Sequence, residues 1–348
     1  MTKVAVTGLG MTTPLGGDVP STWEAALDGR SGVRTLNNDW VERYGLEVSF
    51  AGQVVVRPEE VLTRPEMKRM DPSAQMAIVA TREAWADAGS PEVDPDRLGA
   101  AVSSGIGGVW TLLNAWDTLK EKGAARVLPL TVPMLMPNSP AAYVELEVGA
   151  RAGAHAPVSA CASGAEAIAT GYRMILDGRA DVVVAGGTEA ATHPVTLASF
   201  GAMQALSRRN DDPAGASRPY DITRDGFVMG EGSGIIVLES EEFAKARGAR
   251  IYAYLAGVGL TSDAYHIAAP EPHGRGQVRA MQLALEAGGL STQSVAHINA
   301  HATSTVVGDM IEARAIRTLL GTHADRTLLS ATKSMMGHLM GGAGAVES

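Results

Sequence analysis

The sequence predicts an α/β fold made of two similar halves. Two observations carry that prediction. Short, wholly apolar β-branched runs alternate with amphipathic stretches, the pattern of sheets covered on both faces by helices. Strand-to-loop and strand-to-helix segments then recur at corresponding places in the two parts of the chain.

Taken in order, KVAVTGLG (residues 3–10) reads as a strand and PSAQMAIVATREAWADAG (72–89) as a helix. AAVSSGIGG (100–108) is a strand running into a glycine loop, and an apolar strand-like run ends at Cys161. GAEAIATGYRMILDG (164–178) is a helix, followed by strands at DVVVAGG (181–187), GIIVLES (234–240) and IYAYLAGVGL (251–260). The second part adds helices at GQVRAMQLALEAGG (276–289) and GDMIEARAIRTLLG (308–321), with strands at HINAHATS (297–304) and LLSATKS (328–334). Gly and Asp-Gly pairs close many of these elements.

The internal repeat pairs AVSSGIGG with INAHATST, and SACASGAEAI with SATKSMMGHLMGGAGAV. The first half is expected over 1–248, ending in the Lys/Arg-rich hinge EEFAKARGAR, and the second over 249–348. Because GHLMGGAGAVES stops inside a helical pattern, the second half is expected to be incomplete.

At 348 residues, 45% hydrophobic and 19% charged, the chain has the composition of a globular protein with a large core. A formal net charge of −9 opposes binding to nucleic acid. No apolar stretch reaches membrane-spanning length, and the start carries no basic leader. A single cysteine excludes an intramolecular disulfide and suits a reducing cytoplasm.

Two glycine-rich stretches read as tight turns. VTGLGMTTPLG has Thr13 at the third glycine position of a dinucleotide fingerprint, with Pro14 after it, and GFVMGEGSGIIVLE leads into a strand. His297 and His301 have the spacing of two helical metal ligands. HINAH, however, has Ile298 where a zinc-protease motif has Glu, and reads as a strand end, so no metal site is expected.

Cys161 stands at the mouth of a helix. A free cysteine is commonly a small buried hydrophobe, but a helix N-terminus favours thiolate, and Ala160, Ala162, Ser163 and Gly164 leave room for a substrate. His301 and His338 lie in loops dense in Gly, Ser, Thr and Ala, as partners of such a thiol would. Lys333 is expected to order the site by pairing with Asp309 or Glu312.

As an ordered set, VTGLGMTTPLG, SACASGAEAI, ASRPYDITRDGFVMGEGSGIIVLE, SDAYH, NAHATST and TKSMMGHLMGGAGAVE make the chain resemble the β-ketoacyl-[acyl carrier protein] synthases, nearest the type II elongating enzymes of bacterial fatty acid synthesis. The resemblance spans residues 4 to 347. It implies a thiolase-like five-layer αβαβα fold, a homodimer, and an acidic acyl carrier protein as partner. It makes Cys161 the acylated nucleophile and His301 and His338 the decarboxylation pair, with Lys333 ordering them through Asp309 and Glu312. Thr303 and Thr305 would contact the phosphopantetheine arm, and Ile106 and Phe227 would border the acyl pocket. Lys68, Arg69, Arg126, Arg208 and Arg209 would dock the carrier protein. No cofactor is implied, because the substrates bring their own phosphopantetheine.

Departures accompany the match. Ala302 replaces a more usual Gly, and Ala268 a pantetheine-contacting Thr. The family's closing Gly-Phe-Gly-Gly loop has no counterpart before Ser348, and of its monovalent-cation ligands only Asn299 and Glu347 are kept. Two further readings stand beside the fatty acid enzyme. One is a polyketide ketosynthase; the other is a non-catalytic subunit that sets chain length, which the presence of Cys161 opposes.

Overall fold

The structure is a computed structural model and describes residues 2–348. Its strands are β1 (Val4–Thr12), β2 (Val33–Thr35), β3 (Phe50–Gly52), β4 (Leu98–Ser103), β5 (Ala154–His155), β6 (Val182–Glu189), β7 (Gly232–Ser240), β8 (Ala253–Leu255), β9 (His297–Asn299) and β10 (Leu328–Ser330). Six of them form one mixed sheet in the order β5-β4-β6-β7-β1-β8. The β4 strand runs parallel to β5 and β6, whereas β6-β7, β7-β1 and β1-β8 are antiparallel.

The central strands are apolar throughout because both of their faces are covered. Leu98, Ala100, Val102, Val182, Val184, Ile235 and Val237 point to one side, against the helix Pro72–Asp87. Ala101, Val183, Ala185, Ile236 and Leu238 point to the other, against the helix Ser163–Leu176. That second helix therefore hangs on the sheet by its buried face, with its N-terminus at the end of β6.

The repeat is visible in backbone packing. At Gly8 and Gly10 a Cβ would come within 2.3 and 2.0 Å of the carbonyls of Ala84 and Ala80. At Gly257 and Gly259 it would come within 2.2 and 1.9 Å of those of Ala284 and Ala280. In each half, a Gly-x-Gly segment passes so close under a helix that only glycine fits. The second-half helices Arg275–Gly288 and Val306–Leu320 pack on one another, and β9 and β10 pair in parallel.

Two expected strands are corrected. Of IYAYLAGVGL only Ala253–Leu255 pairs, as an edge on β1; Gly257 and Gly259 beyond it are the helix crossing. The run before Cys161 is not a strand. Pairing stops at His155, and Pro157 has no N–H to extend the ladder.

Candidate active site

Cys161 lies in the single turn Ala160–Ala162 that enters the helix Ser163–Leu176. Ala160 has φ +52°, a left-handed conformation that costs an L-residue roughly 1 kcal/mol. Ser163 holds the turn: its Oγ accepts from Ser159 N–H at 2.9 Å and donates to the Ala160 carbonyl at 2.7 Å.

His338 is pinned by its backbone and its ring. Its N–H donates to the Val228 carbonyl (2.7 Å), and its own carbonyl accepts from Gly230 N–H (2.9 Å). Its Nδ1 accepts from Met340 N–H at 3.2 Å, which assigns the ring proton to Nε2. Nε2 then faces Cys161 Sγ at 3.0 Å. His301 follows β9 and stands edge-on to His338, ring centroids 5.4 Å apart and planes at 88°. One ligand-type atom from each of Cys161, His301 and His338 lies within 4.8 Å of the others. That is metal-ligand spacing, but Met340 N–H leaves His338 offering a donor to the centre rather than a lone pair. The centre favours an anion.

Burial pushes both imidazoles below the ordinary histidine range, and the Lys333 ammonium pushes the same way. His338 is buried; His301 touches solvent in the cleft, which weakens its desolvation without changing the direction set by Lys333. At Cys161 burial and a nearby cation act on the thiol alongside the helix start. Burial raises the thiol, and Lys333 is the main force pulling it back toward thiolate.

Lys333 is buried, and its partner differs from the expectation. Its Nζ lies 2.7 Å from both carboxylate oxygens of Glu347, not against Asp309 or Glu312. Those two acids are already occupied by backbone donors. Asp309 accepts from Ser304 N–H (3.0 Å) and Tyr220 N–H (2.8 Å), and Arg224 Nε lies 3.4 Å from it. Glu312 accepts from His301 N–H (2.6 Å), Ala302 N–H (2.7 Å) and Tyr220 OH (3.2 Å). They brace the His301 loop rather than the lysine.

These groups open into a cleft of about 520 Å³, lined by Cys161, His301, His338, Phe227, Thr303 and Thr305 among others, with Ala268 at its wall. Thr303 and Thr305 bring their hydroxyls within 3.0 Å of each other. Phe227 packs edge-on against His338. Ile106 is not among the residues lining this cleft and stands 37% exposed, its N–H turned inward to Glu189. Lys68, Arg69 and Arg126 are exposed, while Arg208 and Arg209 already pair with Glu47 and Asp212; none of the five lines the cleft.

Sequence reasoning missed Glu189 and Tyr220 as site residues, and placed Glu347 only among the family's cation ligands rather than as the partner of Lys333. Glu189 had a signal: it is an acid closing the wholly apolar strand VVVAGGTE, and it is fully buried. As the partner of Lys333, Glu347 had no signal beyond its place just after the final short helical turn.

A thiol at a strained helix entrance, with one imidazole aiming its N–H at the sulfur and a second imidazole beside it, is the equipment of an enzyme that holds an acyl group and stabilises an enolate. Residues 1–244 match the family model for the beta-ketoacyl synthase N-terminal domain, and residues 252–348 the one for its C-terminal domain. The chain is 46% identical over 346 residues to 3-oxoacyl-[acyl-carrier-protein] synthase 2 of Mycobacterium bovis, covering 99% of this chain and 82% of that protein. It is 43% identical to the enzyme of that name from Mycobacterium leprae over 347 residues, with the same coverage. Among solved structures, a beta-ketoacyl synthase from Burkholderia phymatum superposes with TM-score 0.89 at 37% identity, covering all of this chain and 84% of that one. A type II polyketide acyl carrier protein in complex with its hexaketide-bound ketosynthase gives 0.91 at 32%, covering 99% and 84%. The chain belongs to the beta-ketoacyl synthase family.

Proposed function

We propose that this protein condenses an acyl group held on Cys161 with malonyl-acyl carrier protein, lengthening a fatty acyl chain by two carbons. The observation that carries the reading is His338 Nε2–H at 3.0 Å from Cys161 Sγ, with His301 beside it. The thiolate attacks the incoming thioester carbonyl; the C–S bond to the carrier breaks, and the carrier thiol leaves with a proton. Malonyl thioester enters next. Its carboxylate leaves as carbon dioxide, and the bonding pair passes into an enolate whose oxygen accepts from the two imidazole N–H groups. The enolate carbon attacks the acyl carbonyl, and the Cys161 thiolate is released as the C–S bond breaks.

Neutral imidazoles suit the task, since they donate without a fixed charge that would bind product as tightly as transition state. The reaction needs no redox cofactor or catalytic metal; the phosphopantetheine arm arrives with the substrate, and the position of Thr303 and Thr305 on the cleft wall supports a role for them in receiving it. Lys68, Arg69, Arg126, Arg208 and Arg209 are offered as the surface for an acidic carrier protein. A cytoplasmic homodimer is part of the reading. Its supports are the free edge of β5 and the exposed Leu112, Trp116 and Leu119 on the helix Val109–Lys122.

Mass spectrometry after incubation with acyl-carrier protein tests the proposal. An acyl adduct is expected on Cys161 and none on Cys161→Ala; an unmodified native chain overturns it. Malonyl decarboxylation should collapse in His301→Ala, and retention there refutes the role given to that ring. The fold neighbours with polyketide partners favour a second reading, a polyketide ketosynthase, distinguished by the products made from acyl and malonyl carriers. A non-catalytic chain-length subunit is opposed by the complete thiol and histidine set.

A further inference from the structure

Glu189 ends β6 with its carboxylate fully buried. Oε1 accepts from Ser104 Oγ at 2.6 Å and from Ile106 N–H at 3.4 Å. Oε2 accepts from Gly105 N–H at 2.8 Å and from Gly341 N–H at 3.0 Å. Two segments thus end on one oxygen. Gly105 abuts the nucleophile turn: a Cβ there would lie 3.2 Å from the carbonyl of Ala160, the residue before Cys161. Gly341 follows His338 by three residues, across the Met340 N–H that holds the His338 ring. Neither glycine has slack, for a Cβ on Gly341 would come within 2.3 Å of Gly105 N.

We propose that Glu189 is a positioning residue for the condensation: it clamps the loop behind Cys161 to the turn behind His338, and so sets the distance between thiol and imidazole. Glu189 is behind both groups and touches no reacting atom. What it supplies is acceptor geometry. Burial pushes its carboxyl up to about 7, so its charge is held at a cost, offset by the four donors. A glutamine retains most of this geometry. Its amide oxygen at the Oε2 place accepts from Gly105 and Gly341, while its NH₂ turns to Ser104 Oγ, a hydroxyl able to accept, and the long Ile106 N–H contact loses its acceptor.

The inference rests on the condensation reading, so wild-type condensation is assayed first; its absence would defeat that reading without bearing on the clamp. In full-chain variants that remain folded by circular dichroism, Glu189→Ala is expected to lower kcat for condensation and for malonyl decarboxylation by about a hundredfold, the scale of a 1 Å misplacement. KM for the acyl carrier should stay within about twofold, because the cleft lining is untouched. Glu189→Gln should keep kcat within about fivefold of wild type. Should Glu189→Ala fail to fold, Glu189→Asp keeps a buried carboxylate but shortens its reach by one methylene, so it cannot hold both segments, and a loss in kcat at unchanged KM is expected. Decarboxylation preserved in a folded Glu189→Ala or in Glu189→Asp overturns the assignment, as does a Glu189→Gln enzyme as impaired as the alanine.

Discussion

Met340 N–H decides what His338 can do. By occupying Nδ1 it keeps the proton on Nε2, so the ring meets the thiol, and later an enolate, as a donor. The lowered pKa values of both histidines then define a pH dependence. A histidine whose folded value lies below its unfolded one binds fewer protons folded than unfolded as pH drops through 6.5. Native stability from this pair is therefore present above that pH and lost below it. Activity should follow the folded values: in Cys161→Ala, which removes the thiol's own titration, malonyl decarboxylation should stay level as pH falls through 6.5. An acidic limb centred at or above 6.5 contradicts the neutral-donor assignment. Ala302 gives a second residue-scale expectation. At φ +38° it occupies left-handed space where glycine rests without strain. Ala302→Gly should escape the usual loss of about 0.5–1 kcal/mol for Ala to Gly, measured by denaturant midpoint at unchanged slope.

Among the elements, the short helix Lys333–Met336 and the turn Ala343–Val346 are joined through one buried ion pair, Lys333 with Glu347. Removing one partner leaves the other charged and buried. Lys333→Ala is expected to destabilise by about 3–5 kcal/mol, whereas Lys333→Met with Glu347→Leu should recover most of that in a denaturant melt. The double variant should still alkylate slowly at Cys161, since the cation that draws the thiol toward thiolate is gone. This pairing was not legible in the sequence. Asp309 and Glu312 were visible as nearby acids on the helix Val306–Leu320, but their capture by the N–H groups of His301, Ala302 and Ser304 is set by loop conformation, including positive φ at Ala302 and Ser304. Elements with strong periodic burial, such as Pro72–Asp87 and Ser163–Leu176, were legible from pattern. The helix Val109–Lys122 carries Leu112, Trp116 and Leu119 at helical spacing, but it buries no residue in this chain, so its stripe points to no core partner here.

At the scale of the molecule, the two Gly-x-Gly crossings are the clearest trace of the repeat. Gly10→Ala and Gly259→Ala should each destabilise by about 1–3 kcal/mol or more, because a backbone carbonyl rather than a yielding side chain blocks the new methyl. Comparable losses at both places in urea unfolding would mark them as equivalent; one tolerated and one not would break the correspondence. The histidines and the thiol were recognisable from motif, because small residues around each leave a trace in sequence. Their convergence was not derivable from spacing: Cys161 and His338 are 177 positions apart, and the sheet order, the glycine contacts among Gly164, Gly187 and Gly341, and the Glu189 carboxylate between Gly105 and Gly341 bring them together.

The thiol is the chain's only one, and it stands at the reacting centre. Every thiol-directed reagent is therefore a site-directed one. A chromogenic disulfide titrated against the native protein counts competent centres per chain, with no background to subtract. The same residue offers a single attachment point for a fluorescent or spin label, whose loss of reactivity on acylation would time the loading step directly.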